Sequence, residues 1–417
     1  MPTRRAAFAA ALTLSLGTTG LVQPATAADA FGIPYLKEPI TGQTIGNAPV
    51  HHPGAPVPQP FTTDYLAGFQ SDISSYQYGV YWEVVRLYDF IKAERPDIRA
   101  TNLDKAIAIN NGAAGNAPLI HRAQVDAAAD TAGVYLTVAD ALGPEFASAF
   151  RQAVAENRLP KTQYLFGNGY AARAGGLASS TFPEKYYFNT DRPHEVGPDQ
   201  IRKYPDGKNN FYLTSPSFPS GHANQAAWVT ALMAFMLPEA GPQLIYRGAQ
   251  SGESRVIMGV HFPLDVIGGR MTGQAAAADR LSDPRMAHAL HQASLEIRAE
   301  MQWRTGKTIA ELVSTNPPYI TSDAANASYA QLMGYDFAPA YHTDAPMIVP
   351  RTAPALLAAS HPHLTWQQRA EVLRLTAAPA GHPLDWQGPG GSWQRINLVK
   401  ALTAQVTVGP DGRVSVA

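Results

Sequence analysis

Three short stretches gather residue types that can handle a phosphate. Pro219-Ser220-Gly221-His222 stands directly before the apolar run Ala223 to Leu237 and reads as a helix start built to hold an anion. Pro219 presets the backbone ahead of the helix, Gly221 lets a ligand approach the main chain, and the first-turn amides have no intrahelical acceptor. Those N–H groups and the positive helix end suit a phosphate. Ser220 adds a hydroxyl donor, and His222 adds a group that gives or takes a proton near neutral pH. A Pro-Ser-Gly turn is common before helices, so these four residues alone prove little. Upstream, however, Lys185 and Arg192-Pro193 are separated by six residues, and downstream Ser254-Arg255 is followed after five residues by His261 and after three more by Asp265. Singly, a Lys or Arg is usually solvated and a helical His usually packed. Together they supply two guanidiniums, an ammonium, two imidazoles, a hydroxyl, a carboxylate and a helix N-terminus, the inventory of a phosphoryl-transfer site without metal.

The elements that must position these groups are helical. Val80, Val84, Leu87 and Ile91 recur at spacings of three and four, with Pro96 expected to close that segment. Further helices are predicted at about Arg122 to Ala141, Pro144 to Asn157, Gln243 to Val260, Leu264 to Leu281 and Arg285 to Arg304. No succession of alternating strands interrupts them, so the expected fold class is all-α, a helical bundle. Beyond Thr305 the composition shifts toward Pro, Ala, Thr and aromatic residues, with one helix at Thr365 to Thr376. The chain should end in a β-hairpin, Gln405 to Val408 and Arg413 to Val416, turning through Gly409-Pro410-Asp411-Gly412.

With 417 residues, 45% of them hydrophobic, the chain can bury a large core. A formal net charge of -1 argues against nucleic acid as a partner, so any anion site is local. Arg4-Arg5, the apolar run Ala6 to Leu16 and Ala25-Thr26-Ala27 follow a signal-peptide pattern, of the general secretory kind rather than the twin-arginine kind. The expected organisation is a signal over 1–27, a Pro/Gly-rich arm over 28–62, a helical catalytic domain over 63–304 and an extension of unknown role over 305–417. The protein is expected in the periplasm or outside the cell. There is no Cys, which removes disulfides, thiol nucleophiles and thiolate metal sites. No run of 18 apolar residues follows the signal, so no transmembrane segment is expected. His51-His52, His288 with His291, and His361 with His363 are read as surface histidines rather than metal ligands.

The pattern Lys185-x6-Arg192-Pro193, Pro219-Ser220-Gly221-His222, Ser254-Arg255-x5-His261-x3-Asp265 resembles the signature of the type 2 phosphatidic acid phosphatase superfamily. The flanking residues, Lys185-Tyr186-Tyr187-Phe188 and Ser254 to Gly259, are most similar to the bacterial class A nonspecific acid phosphatases; vanadium haloperoxidases are a related branch. The resemblance covers roughly residues 70 to 300. It implies that Lys185, Arg192 and Arg255 clamp the phosphate oxygens, with Ser220 and the Gly221 amide completing the cradle. It also implies that His261 attacks phosphorus to form a phosphohistidine, Asp265 fixes the His261 tautomer, and His222 protonates the leaving group and then activates water. The implied protein is a metal-independent acid phosphatase acting on small-molecule phosphomonoesters, with no cofactor and with vanadate as an inhibitor. Under the alternative, the same pocket holds vanadate as the cofactor of a haloperoxidase. The position five before the signature Ser resembles Phe or His in that branch and is Ser215 here. A third possibility is a phosphate-binding protein that has lost catalysis, against which the retention of both histidines argues.

Overall fold

The computed structural model describes residues 48–62, 80–167, 181–315 and 320–417. The expected signal peptide, most of the N-terminal arm and nearly all of the connection from Gly167 to Ser180 lie outside them. The described chain is helical, with a single two-stranded sheet at its end. The helices used below are α1 (Pro96–Gly112), α2 (Ala117–Ala132), α3 (Pro144–Ala155), α4 (Phe182–Phe188), α5 (Pro193–Val196), α6 (Gly221–Met236), α7 (Gly241–Ile257), α8 (Pro263–Ser282), α9 (Pro284–Thr305), α10 (Ser322–Gly334), α11 (Trp366–Leu375) and α12 (Leu398–Thr403). In the terminal hairpin, β1 (Val406–Val408) pairs antiparallel with β2 (Val414–Val416).

Helices α6, α7 and α8 form the centre. α6 is buried on nearly every face, because its sequence is apolar all round rather than striped. Glycines set how closely the three approach. A Cβ on Gly269 of α8 would lie 2.4 Å from the Ser220 carbonyl oxygen, and one on Gly273 would lie 2.4 Å from that of Asn224. On α7, a Cβ on Gly248 would meet the Thr230 hydroxyl at 2.4 Å. These spacings, i and i+4 on α8, let two backbones come nearly into contact. Asn224 and Thr272 add a hydrogen bond of 2.9 Å across the same seam.

One helix boundary differs from expectation and another serves twice. The helix over Tyr88–Glu94 ends just before Pro96, as expected, and Pro96 also opens α1, since at the first helical position its missing N–H is not needed. The buried face of α1 carries Ile98, Asn102, Ala106 and Asn110. Half of that stripe is asparagine, which hides the apolar period. The segment expected to run from Arg122 to Ala141 breaks at Gly133, whose φ of 96° ends α2; short turns continue to Leu142, and Gly143 resets the chain for α3.

The arm is pinned where it is described. Arg158 donates to the carbonyls of Val50 (2.9 Å) and Pro56 (2.7 Å) while forming a buried bidentate pair with Glu300 at 2.6 and 2.9 Å. His52 is not simply solvated: it meets Glu156 at 2.8 Å and lies against the Trp303 ring. His361 is likewise buried, bonding the Ala401 carbonyl at 2.9 Å, whereas His288, His291 and His363 are exposed. Residues beyond 305 share the core with the central helices: Leu312, Tyr329, Leu356, Val372 and Val399 belong to the same buried apolar cluster as Trp228 and Leu264.

Candidate active site

The Ser220 turn, at the end of the loop that follows α5, is held from several sides. Ser220 caps α6, its hydroxyl accepting from the Ala223 amide at 3.3 Å, while its own amide donates to the Asp265 carbonyl at 2.9 Å. Phe218, just before it, stacks on Tyr88 at 3.6 Å and meets Phe188 of α4 edge-on. A Cβ on Gly268 would sit 2.8 Å from that Phe218 ring, so the glycine keeps the aromatic wedge against α8. The consequence is that the N-terminus of α6 and the N-terminus of α8 are held side by side.

His261 sits in the short connection from α7 to α8. Asn110 of α1 bonds the Ile257 carbonyl at the end of α7 (2.7 Å), and Asn102 accepts from the Leu264 amide at the start of α8 (3.1 Å). One buried helix thus satisfies both helix ends that bracket the imidazole. Asp265 lies four residues on, in the first turn of α8. Its Oδ2 accepts from the Ser217 hydroxyl (2.5 Å) and the Phe262 amide (2.9 Å), and lies 3.1 Å from His261 Nδ1. Ser217 Oγ is also 3.3 Å from Nδ1. With two oxygens facing it, Nδ1 carries the proton, and Nε2 keeps its lone pair. That Nε2 faces Arg192 Nη1 at 3.3 Å.

The cations surround this imidazole. Arg192, at the start of α5, donates through Nε to the Ser215 carbonyl (2.7 Å), through Nη2 to the Ser215 hydroxyl (2.9 Å), and through Nη1 to the Val260 carbonyl (2.8 Å). Lys185 of α4 donates to the carbonyls of Pro216 (2.9 Å) and Ser217 (2.8 Å). Arg255, near the end of α7, is buried beside them. His222 bonds the Ala127 carbonyl of α2 at 3.1 Å. Neighbouring Asp126 accepts from Ser254 (2.7 Å) and pairs with Arg247 at 2.6 Å, fastening α2 to α7.

Burial, then the charges of Arg192, Lys185, Arg255 and His222, hold the His261 imidazole well below its ordinary value. Burial and the Arg192 charge push Lys185 down, against the pull of Asp265. Burial raises the Asp265 carboxyl to about 6, opposed by Ser217 and the Phe262 amide. A cluster with three cationic side chains and one carboxylate, mostly out of water, is a site for an anion. Among the described residues no group of three or more His, Cys, Asp and Glu could hold a metal ion.

Lys185, Arg192, Ser220, Gly221, His222, Arg255, His261 and Asp265 therefore lie in one neighbourhood. Sequence reasoning missed Ser217, Asn102, Asn110 and Asp126. Ser217 belongs to a polar loop without periodicity, and only its place three residues before the helix cap hinted at it. Asn102 and Asn110 could have been found from their spacing of eight with Ala106 between.

A helical core that brings this signature together defines a class of protein, and residues 164–282 match the model of the PAP2 superfamily. Over that stretch the chain is similar to PAP2 superfamily domains. It is also similar to individual phosphatases: 28% identical over 159 residues to the non-specific acid phosphatase of Providencia stuartii, covering 36% of this chain and 59% of that protein. To the non-specific acid phosphatase of Salmonella typhi it is 29% identical over 138 residues, covering 33% and 53%. The chain thus spans little more than half the length of these curated relatives.

Proposed function

We propose that this chain is an acid phosphatase that hydrolyses small-molecule phosphomonoesters without a metal, through a phosphohistidine on His261. The observation that carries the reading is the buried imidazole of His261, held by Asp265 on Nδ1 and presenting Nε2 to Arg192, with Lys185 and Arg255 close enough to lower its proton affinity. Anion binding alone needs no such nucleophile. Nε2 attacks phosphorus in line, and the nonbridging oxygens gain contacts from Arg192, Arg255, Lys185, Ser220 and the amides at the start of α6. The P–O bond to the leaving group breaks as His222 delivers a proton to that oxygen. Water, deprotonated by His222, then attacks the phosphohistidine, and His261 leaves as the neutral imidazole. Asp265 offsets the positive charge on the ring while the P–N bond exists.

Burial and the surrounding cations lower the His261 value, which favours an unprotonated nucleophile into the acid range. In this reading residues 1–27 export the protein to the periplasm or beyond, residues 63–304 form the catalytic unit, and 305–417 form an extension that supports it. No helix among the described residues is long and apolar enough to cross a membrane. Ser215, whose hydroxyl and carbonyl both hold Arg192, departs from the haloperoxidase pattern, so no halide chemistry is assigned.

The test is a panel of phosphomonoesters with and without chelator, followed by alkaline-quench trapping with a 32P-labelled substrate. The expected result is chelator-resistant hydrolysis and an acid-labile phosphoenzyme absent from His261→Ala. A His261→Ala protein keeping a tenth of wild-type turnover overturns the assignment.

A further inference from the structure

Arg270 lies on α8, five residues beyond Asp265, and is buried with 6% of its surface exposed. Its Nη2 donates to the carbonyls of Met333 (3.2 Å) and Gln394 (3.1 Å), both contributed by the chain beyond 305. Nε and Nη1 have no acceptor among the described residues. Two other deeply buried arginines are compensated by a carboxylate: Arg158 is paired with Glu300 and Arg247 with Asp126, each at 2.6 Å. The acceptors of Arg270 are neutral. A guanidinium cannot shed its proton, so a buried one must be compensated by another charge.

Beside it is a small cavity of about 20 Å³, lined by Arg270, Gln274, Tyr329, Leu332, Ala227 and Thr230 among others. Gln274 bonds Tyr329 Oη at 2.9 Å and leaves the other end of its amide without a partner. Turning that amide over keeps the bond to Tyr329 with the roles reversed and aims an N–H at the cavity.

We propose that Arg270 and Gln274 bind a monatomic anion of the chloride type in this cavity, and that the ion clamps the chain beyond 305 onto the helix carrying Asp265. Size and lining choose the ligand. The volume is roughly one to two water-sized spheres, enough for a halide and too little for phosphate with its four oxygens. The wall is partly aliphatic, which a weakly hydrated halide tolerates and a strongly hydrated oxyanion does not. The site is separate from the phosphate cluster, with its donors on the other side of α8 facing α10, and it stands whether or not the phosphatase reading does.

The experiment is thermal unfolding of the full chain at constant ionic strength, with sodium chloride or bromide replacing sodium gluconate. Wild type should gain on the order of 2–4 °C at about a hundredfold excess over Kd. Arg270→Met should lose that dependence, while any general salt effect persists in both proteins. Should Arg270→Met fail to fold, anomalous scattering from bromide-soaked wild-type crystals decides: a peak beside Arg270 Nε and Nη1 supports the site. No halide-specific shift in wild type, an equal shift in Arg270→Met, or a bromide-soaked crystal without that peak overturns it.

Discussion

Replacing Asp265 by Asn removes one charge and almost no volume, which makes it the sharpest probe of the site. Asp265 Oδ2 collects three contacts, from Ser217, Phe262 and His261, while Oδ1 is buried without a partner. The amide oxygen can take over the Oδ2 position, and His261 then keeps its tautomer but loses the carboxylate. With Nδ1 3.1 Å from Oδ2, the imidazolium and carboxylate charge centres are about 4 Å apart. Their attraction at that range is about 4 kcal/mol at the effective dielectric that suits protein sites. It acts when the ring is positively charged, in the proposed phosphohistidine and the transition states beside it. Kcat should therefore fall about 10³-fold. If the amide turns its NH2 toward His261 instead, the wrong tautomer results and the loss approaches about 10⁴-fold. Stability should change far less, because the lost hydrogen bonds are offset by removing a carboxylate whose burial already raises it to about 6. The assay is kcat on a saturating aryl phosphate near pH 7, above the raised Asp265 value, alongside the melting temperature. Asp265→Asn with kcat within tenfold of wild type, while His261→Ala is inactive, would refute the electrostatic role. Ser217→Ala, which leaves the carboxylate in place, should cost about 10- to 10²-fold, since a single hydrogen bond to a charged group is worth about 1.5–3 kcal/mol.

His222→Ala should slow an alkyl phosphate by about 10²-fold or more and an aryl phosphate with an acidic phenol far less, since a good leaving group needs little protonation. Equal losses on both would remove His222 as the acid. Gly269→Ala puts a Cβ 2.4 Å from the Ser220 carbonyl, so a backbone must move; a cost of about 1–3 kcal/mol in a denaturant melt is expected, with a raised KM. An unchanged melt would show that α6 and α8 do not approach this closely. His382 is pushed down to about 3 by burial and the Arg270 charge. Its folded value lies below its ordinary 6.5, so its contribution to stability is present above pH 6.5 and is lost as pH falls toward 3. His382→Gln should flatten that fall by up to about 1.4 kcal/mol per pH unit, and identical slopes for both proteins would contradict the burial argument.

The sequence by itself determined the local frames of the proposed reactive groups. Asp265 stands one helical turn from His261 because four residues and a Pro263 helix start separate them, and Ser220 caps α6 because a hydroxyl before an apolar run does so. The all-helical class and the terminal hairpin were legible for the same reason: periodicity and turn chemistry act over a few residues. Gly133 was misjudged, because a single residue stops a helix or not according to its surroundings. Only the tertiary structure decided that the N-termini of α6 and α8 lie side by side, since that depends on Gly269 and Gly273 meeting the backbone of a helix some fifty residues away. It also decided that Asn102 and Asn110 fasten the ends around His261, and that Ser217 shares Asp265 with the imidazole. The neutrality of His261 belongs wholly to this level. An imidazole's proton affinity depends on burial and on charges brought within reach by distant segments, and neither quantity exists until the chain has folded.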